Sequence, residues 1–411
     1  MTVLIAGAGI AGLATALSLH QIGVPCRVFE AAARIEPLGV GINTLPHAVR
    51  ELTELGLADA LAANGVATAE LAYFSARGQR IWSEPRGIAA GYRWPQYSIH
   101  RGSLQRVLLD AAIARLGADA IAAGHRLTGW EDAGVGVRAR FDTPDGPASA
   151  EGALLIASDG IHSAARAHLF PDEGPPIWNG AILWRGTTRM PPFLTGRTMI
   201  MAGHEFQKFV AYPIAEGAEA TVNWIAERKF SADRAWRRED WNRGGKLEEF
   251  LPAFEAWRFD WLDVPAAIRG AASVYEYPMV DRDPLDRWTH GRMTLLGDAA
   301  HPMYPIGSNG ASQAILDARV LAREIRARGA VPAALEAYEA ERRPATARIV
   351  LANRGNGPEQ VMQLVQERAP NGFARIEDVL SAGELEGTAA AYKRVAGFDV
   401  DALNARPPVV G

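Results

Sequence analysis

Three glycines at fixed spacing open the chain, in Gly7-Ala8-Gly9-Ile10-Ala11-Gly12. Glycine at the first position permits a tight turn. At the second it lets a pyrophosphate approach the backbone, and at the third it lets a helix pack closely on a strand. The helix that starts there offers free N–H groups and a positive dipole end to phosphates. Glu30 ends a second apolar run, 18 residues after Gly12, where a carboxylate accepts hydrogen bonds from ribose hydroxyls. This pattern predicts dinucleotide binding.

Two later motifs bear on which dinucleotide. Ser158-Asp159-Gly160 follows an apolar run and continues to Arg166. Gly297-Asp298-Ala299-Ala300-His301-Pro302 continues through Met303, Tyr304 and Pro305 to Gly310 and Ala311. Asp298 sits where a carboxylate can hold a polyol. Gly307 to Ala311 precedes a helical pattern whose N–H groups could face a group that becomes negative, such as the N1–C2=O edge of a reduced flavin. Taken singly, each Asp motif also reads as a strand-to-loop turn with an Asp cap.

These loops need strands and helices to hold them. Thr2–Ala6, Ala153–Ala157 and Met293–Leu296 read as short buried strands of a parallel sheet. With Leu13–His20 as a helix and Arg27–Glu30 as a strand, the start is a βαβ unit. Pro46–Leu61, Ser103–Leu116, Ser312–Ala327 and Pro332–Arg342 have helical spacing, and Pro344 marks a kink or a new start. Residues 71–97 and 181–271 are rich in tryptophan and β-forming runs, with a charged helix expected over Glu239–Glu255. The expected fold class is α/β. A Rossmann-like dinucleotide-binding domain (1–70, 98–180 and 272–355) carries an inserted antiparallel β-sheet domain (71–97 and 181–271). A C-terminal helical tail, 356–411, follows and carries no readable motif.

Composition narrows the function classes. The 411 residues are 48% hydrophobic and 22% charged, which excludes global disorder. Lys and Arg number 43 against 47 Asp and Glu, a net charge of −4 that argues against a nucleic-acid partner. The single cysteine, Cys26, cannot form an intrachain disulfide, and no Cys/His cluster has zinc spacing. The apolar stretch Val3–Leu19 lacks a basic leader, is interrupted by glycines and falls short of the roughly 20 residues of a membrane span. The expectation is a cytoplasmic protein with no membrane association.

With the three motifs in this order, the chain resembles the single-component flavin-dependent aromatic hydroxylases, of the para-hydroxybenzoate and salicylate hydroxylase type. The resemblance runs from Thr2 to about Asn353. Within that family it is most similar to the phenazine-carboxylate type of monooxygenase. The stretches that carry this are Pro37–Asn43, Trp82–Gly87, Pro95–Arg101, Trp184–Gly186 and Tyr277–Pro284.

The resemblance implies non-covalent FAD. Gly7, Gly9, Ala11 and Gly12 would take its pyrophosphate and Glu30 its adenosine ribose. Arg101 would lie near the ribitol and pyrophosphate, Leu127 at the adenine, and Asp298 on the ribitol. Gly310 and Ala311 would lie beside the flavin ring, with Val40 and Gly41 at its other edge. Asp159 and Arg166 belong to the motif tied to both FAD pyrophosphate and nicotinamide cofactor, though Arg166 also reads as a structural ion pair. The implied reaction uses NAD(P)H and O2 to hydroxylate a small aromatic substrate through a flavin C4a-hydroperoxide. There is one glycine fingerprint and one cysteine, so the nicotinamide cofactor docks transiently, without a fold of its own. NADH is favoured over NADPH because the sequence offers no basic motif for the extra phosphate.

No catalytic side chain is assigned, since the flavin carries the chemistry. His301 reads as a loop-packing histidine rather than a base. Trp184, Tyr212 and Trp224, with Met303, Tyr304 and Pro305, are the candidate walls of an aromatic pocket. Arg185 could pair a substrate carboxylate. A flavin dehydrogenase, a Baeyer–Villiger or epoxidising oxygenase, and a protein that holds FAD only to sequester an aromatic compound remain as alternatives. A monomer or a homodimer would suit any of them.

Overall fold

The computed structural model describes residues 2–37, 39–231 and 243–410. Leu38, in one of the resembling stretches, and residues 239–242 of the expected charged helix lie outside the described residues. Within them that helix is Leu247–Phe254.

Val3–Ala6 is four apolar residues, all buried. A strand covered on both faces belongs inside a parallel sheet, and this one lies between Leu154–Ala157 and Cys26–Phe29, parallel to both. Met293–Leu295 and Ile121–Ala122 extend the sheet on either side, and Thr289–His290 adds an antiparallel edge. Because five of these strands run the same way, the carboxyl ends of four of them deliver Gly7, Glu30, Ser158 and Gly297 to one edge of the sheet. Open α/β sheets bind ligands at that edge. The helices Ile10–Gln21, Arg101–Leu116 and Gly310–Arg328 cover the sheet, and a three-stranded meander spans Arg126 to Gly152.

The second large sheet has seven strands. Its order is Val274–Asp281, Ile177–Met190, Ala220–Lys229, Gln207–Ala215, Thr198–His204, Glu70–Phe74 and Arg80–Pro85. Val274–Asp281, assigned from sequence to the dinucleotide-binding part, pairs along Ile177–Met190 here. Gln96–His100 joins a small sheet with Gly41–Thr44 and Gly65–Thr68. Side chains alternate between the two faces of the large sheet. One face packs Trp184, Phe209 and Trp224 against Phe250 and Phe254. The opposite face looks toward the loops of the parallel sheet.

Pro332–Arg354 is one helix through Pro344. The tail then forms Gln360–Arg368, Ala382–Ala396 and Val400–Ala405. Val361, Met362 and Val365 share a core cluster with Tyr73, Met199 and Met201 of the large sheet. Tyr392 shares its single hydroxyl proton between Ile306 O at 3.2 Å and Asn353 Oδ1 at 3.0 Å. Its Oη lies where a Cβ on Gly307 would come within 2.0 Å, so the tail braces the loop before Gly310. Among the described residues no helix is long and apolar enough to cross a membrane, and no group of three His, Cys, Asp or Glu could hold a metal ion.

His47 ties the Pro46–Glu54 helix to the tail. It is 1% exposed and stacks on Phe398 with centroids 5.3 Å apart. Burial, then Arg342, Arg406 and Arg50, push its imidazole down to about 3 from 6.5. Between those values the unfolded chain binds a proton that the folded chain does not. Stability therefore falls as pH drops through this window, by about 1.4 kcal/mol per pH unit. His47→Gln is expected to flatten that acid limb in urea titrations taken across the window. An acid limb of unchanged slope would contradict it.

Candidate active site

The glycine fingerprint divides by role. A Cβ on Gly7, at φ +103°, would lie 2.4 Å from Ser158 O, and one on Gly12 would lie 1.9 Å from Gly7 O. These two residues let the first turn, the first helix and the Ser158 loop touch. Gly9 has extended backbone, and a Cβ there would meet nothing within 4 Å. It starts the Ile10–Gln21 helix with no side-chain cap, so the N–H groups of Ile10, Ala11 and Gly12 lack intrahelical partners. Glu30 is fixed beside this turn, accepting from Ala8 N at 2.7 Å and Ala32 N at 2.8 Å. Each oxygen keeps a lone pair for another donor.

The Gly297–Ala311 segment forms the facing side. Asp317, fully buried, accepts from Gly297 N at 3.2 Å, meets His301 Nε2 at 2.5 Å and accepts from Arg342 Nε at 2.7 Å. Burial pushes this carboxyl up, but His301 and Arg342 outweigh it and hold it below the usual range. His301 packs against Trp288 and serves the loop, as its sequence context indicated. Asp298 opens into the cleft. Its confinement raises its carboxyl, against the pull of His301 and Arg101. Burial lowers the Arg101 guanidinium, and Asp298 opposes that.

The Gly310–Arg328 helix also begins without a side-chain cap. Asn309, wholly buried before it, has an Nδ2 with no partner. Open space at Gly9, two uncapped helix starts, an open carboxylate at Asp298 and this orphan donor suit a ligand with phosphates, a polyol and a polar ring. FAD has those parts.

Gly9, Ala11, Arg101, Asp298, Gly310 and Ala311 line one cavity of about 290 Å³, together with Tyr212, Met303 and Pro305. Gly41 hooks the inserted sheet onto its rim. Its N–H donates to Asn223 Oδ1 at 2.7 Å, and its carbonyl accepts from Tyr212 Oη at 2.8 Å and Arg185 Nη2 at 2.7 Å. Val40 O accepts from Arg101 N at 2.8 Å. Arg185 lines the cavity, and its Nε has no partner.

Several expected residues lie elsewhere. Trp184 and Trp224 are corrections, since both point to the far face of the sheet. Trp184 stacks on Phe250 at 4.7 Å and donates to Glu276, and Trp224 donates to Thr188 Oγ1. Their neighbours Leu183, Arg185 and Ile225 face the cavity instead. Tyr304 is also a correction. It is buried behind the loop with its hydroxyl toward Ile177 O, while Met303 and Pro305 face in. Leu127 is buried in the edge strand of the meander, outside the cavity lining. Asp159 accepts from Ala164 N at 2.8 Å, as a turn cap would, and leaves Oδ1 unpaired. Arg166 pairs with Glu173, not Asp159, and donates to Ala299 O and Ala300 O, pinning the Asp298 turn.

The cavity wall follows from strand register. Asn223 pairs with Tyr212, Ile225 with Val210 and Glu227 with Lys208. Arg185 pairs with Ile225, and Met201 with Val210. The face therefore reads as a polar row at Gly41, then an apolar row of Ile225, Val210 and Met201 flanked by Arg185, then Lys208 and Glu227. From Asn223 to Glu227 is four residues, about 13 Å of strand. Glu359 of the tail completes the far end. Asn223, Lys208, Glu227 and Glu359 were not foreseen. The one sequence signal was a lone charge, Lys208 or Glu227, on the same strand face as apolar residues two positions away, Val210 and Ile225.

A family model described as an FAD binding domain matches residues 1–175 and 268–353. The chain is 47% identical to the phenazine 1,6-dicarboxylic acid hydroxylase PhzS of Lysobacter antibioticus over 86% of its own length and 89% of that protein. It is 37% identical to the 3-amino-4-hydroxybenzoate 2-monooxygenase of Streptomyces cremeus, over 84% of each chain. The crystal structure of Klebsiella pneumoniae HpxO complexed with FAD and uric acid superposes with a TM-score of 0.74. That match is at 25% identity and covers 99% of this chain and 97% of that one. A parallel sheet that brings three motif loops to one cavity, an FAD-binding match over most of the chain and relatives of this kind place it together: the chain belongs to the FAD-dependent aromatic hydroxylases.

Proposed function

We propose that this enzyme hydroxylates a planar aromatic acid of two or three fused rings, with NADH as electron donor. Bound FAD supplies the redox chemistry and the activation of dioxygen. The N–H groups of Ile10 and Ala11 would hold its pyrophosphate, Glu30 its ribose and Asp298 its ribitol. The N–H groups of Gly310 and Ala311, at a helix N-terminus, would stabilise negative charge that the bound ring gains. Gly41 and Val40 close the opposite rim.

The guest lies against the apolar row of Ile225, Val210 and Met201, with Met303 and Pro305 beside it. These side chains keep water from the reacting carbon. Arg185 turns its unpaired Nε toward the guest carboxylate. The observation that carries this reading is that one cavity holds both the loops suited to FAD and a long apolar wall with a cation on it. The similarity to a phenazine dicarboxylic acid hydroxylase supports a multi-ring guest. The working form is a monomer or homodimer in the cytoplasm, acting on small molecules alone.

NADH oxidation stimulated by planar acids tests this, with product mass recorded. Arg185→Met removes a charged hydrogen bond of about 1.5–3 kcal/mol. The KM for the acid is then expected to rise about ten- to hundredfold, with a smaller change in kcat. An unchanged KM would remove Arg185 from the acid site. A lower KM for NADPH than for NADH would reverse the donor assignment.

A further inference from the structure

At the end of the cavity away from Gly41, Lys208 stands between two carboxylates. Its Nζ lies 3.0 Å from Glu227 Oε2 and makes a closer ion pair with Glu359 Oε2. Lys208 and Glu227 face each other across adjacent strands, while Glu359 comes from the tail. All three side chains are 7% exposed, and all three line the cavity.

Taking three charges out of water costs several kcal/mol per ion, and an apolar wall would hold the tail at least as well. Lys208 uses one oxygen of each carboxylate and leaves Oε1 of each as an acceptor. Two carboxylates against one ammonium leave the cluster with a formal charge of −1. The small polar chamber behind it adds the Glu205–Lys229 pair, which is neutral as a unit, and His204. At the opposite end the Arg185 guanidinium donates to Gly41 O and keeps a buried Nε without a partner, and Arg101 interacts with Asp298. The cavity is thus cationic at one end, anionic at the other and apolar between.

We propose that the Lys208–Glu227–Glu359 end is a hydrogen-bond-accepting subsite for an N–H group or cationic nitrogen of the aromatic guest, opposite the carboxylate held by Arg185. The two ends then fix which way round the guest lies, and so which ring carbon is presented for hydroxylation. This rests on the aromatic-acid reading above and adds a direction to it. It also requires that a second carboxylate at this end be disfavoured in this chain.

Binding to the FAD-loaded enzyme tests it by calorimetry. Three naphthalene carboxylates serve as probes, bearing an amino, a methyl or a second carboxylate group at the opposite end of the long axis. The amino acid is expected to bind about tenfold tighter than its methyl isostere, and the dicarboxylate more weakly than either. Glu227→Gln makes the cluster neutral and should bring the three affinities to within about threefold of one another. Glu359→Gln, on a different element, should do the same and stands in if the first variant does not fold. A dicarboxylate that binds wild type tightest, or ratios unmoved in both variants, overturns the subsite while the aromatic-acid reading stands. Failure of all three probes to bind overturns both.

Discussion

Replacing Gly9 by alanine is expected to strip the protein of FAD while leaving its fold intact. Gly9 has extended backbone that alanine adopts freely, and the added methyl would meet no protein atom within 4 Å. It would project into the space where the proposed pyrophosphate must approach the backbone. A loss of about a hundredfold in FAD affinity, or about 2.7 kcal/mol, is expected. The apoprotein should melt with wild type. Gly12→Ala should behave differently, because its methyl would sit 1.9 Å from Gly7 O and 2.8 Å from Ser158 Oγ. That variant should lose thermal stability as well as flavin. Flavin content after purification and apoprotein Tm separate the two. A Gly9→Ala protein that holds FAD as tightly as wild type would move the pyrophosphate elsewhere.

Asp317→Asn should cause the largest loss of stability that a single isosteric change can bring to this site. Asp317 is fully buried and meets His301 and Arg342 as well as Gly297 N. Amidation leaves the Arg342 guanidinium without its carboxylate, and breaking a buried pair in this way costs about 3–5 kcal/mol. A fall in Tm of roughly 3–6 °C follows for a chain of this size. FAD affinity should drop too, because Asp317 positions the turn that carries Asp298. The pH dependence has a defined sign. The folded carboxyl lies below its unfolded value, so its contribution is present above the usual carboxylate range and is lost as pH falls through the folded value. The Asn variant should lack this acid-induced loss. An Asn variant with wild-type Tm and flavin content would show that the Gly297–His301 turn is held by other contacts.

The parts legible in the sequence are those whose chemistry demands a fixed local pattern. Gly7, Gly9 and Gly12 sit at the spacing a pyrophosphate turn needs. Asp298 with Gly310 and Ala311 lies on one continuous segment, and so the cleft emerged from three short motifs. The inserted sheet was legible as antiparallel strands except where Thr198–His204 runs parallel to Glu70–Phe74, but it was not legible in phase. A one-residue shift moves every side chain to the other face, and Trp184 and Trp224 look equally suited to a core or to a pocket. Only pairing with the strands around them and packing of Phe250 decide it. Tyr304 failed for the same reason on a loop. Lys208, Glu227 and Glu359 lie far apart in sequence, and nothing local marks them as neighbours. The tail carried no motif because its role is to supply packing and one carboxylate, which many sequences can do.

The most direct test of the central claim, one cavity that joins FAD chemistry to a planar acid, is turnover under isotopically labelled dioxygen with NADH and a fused-ring carboxylate. The account predicts a product heavier by one labelled oxygen atom, with the second label in water and NADH consumed in proportion. A product carrying unlabelled oxygen, or one that has only lost hydrogen, would contradict it.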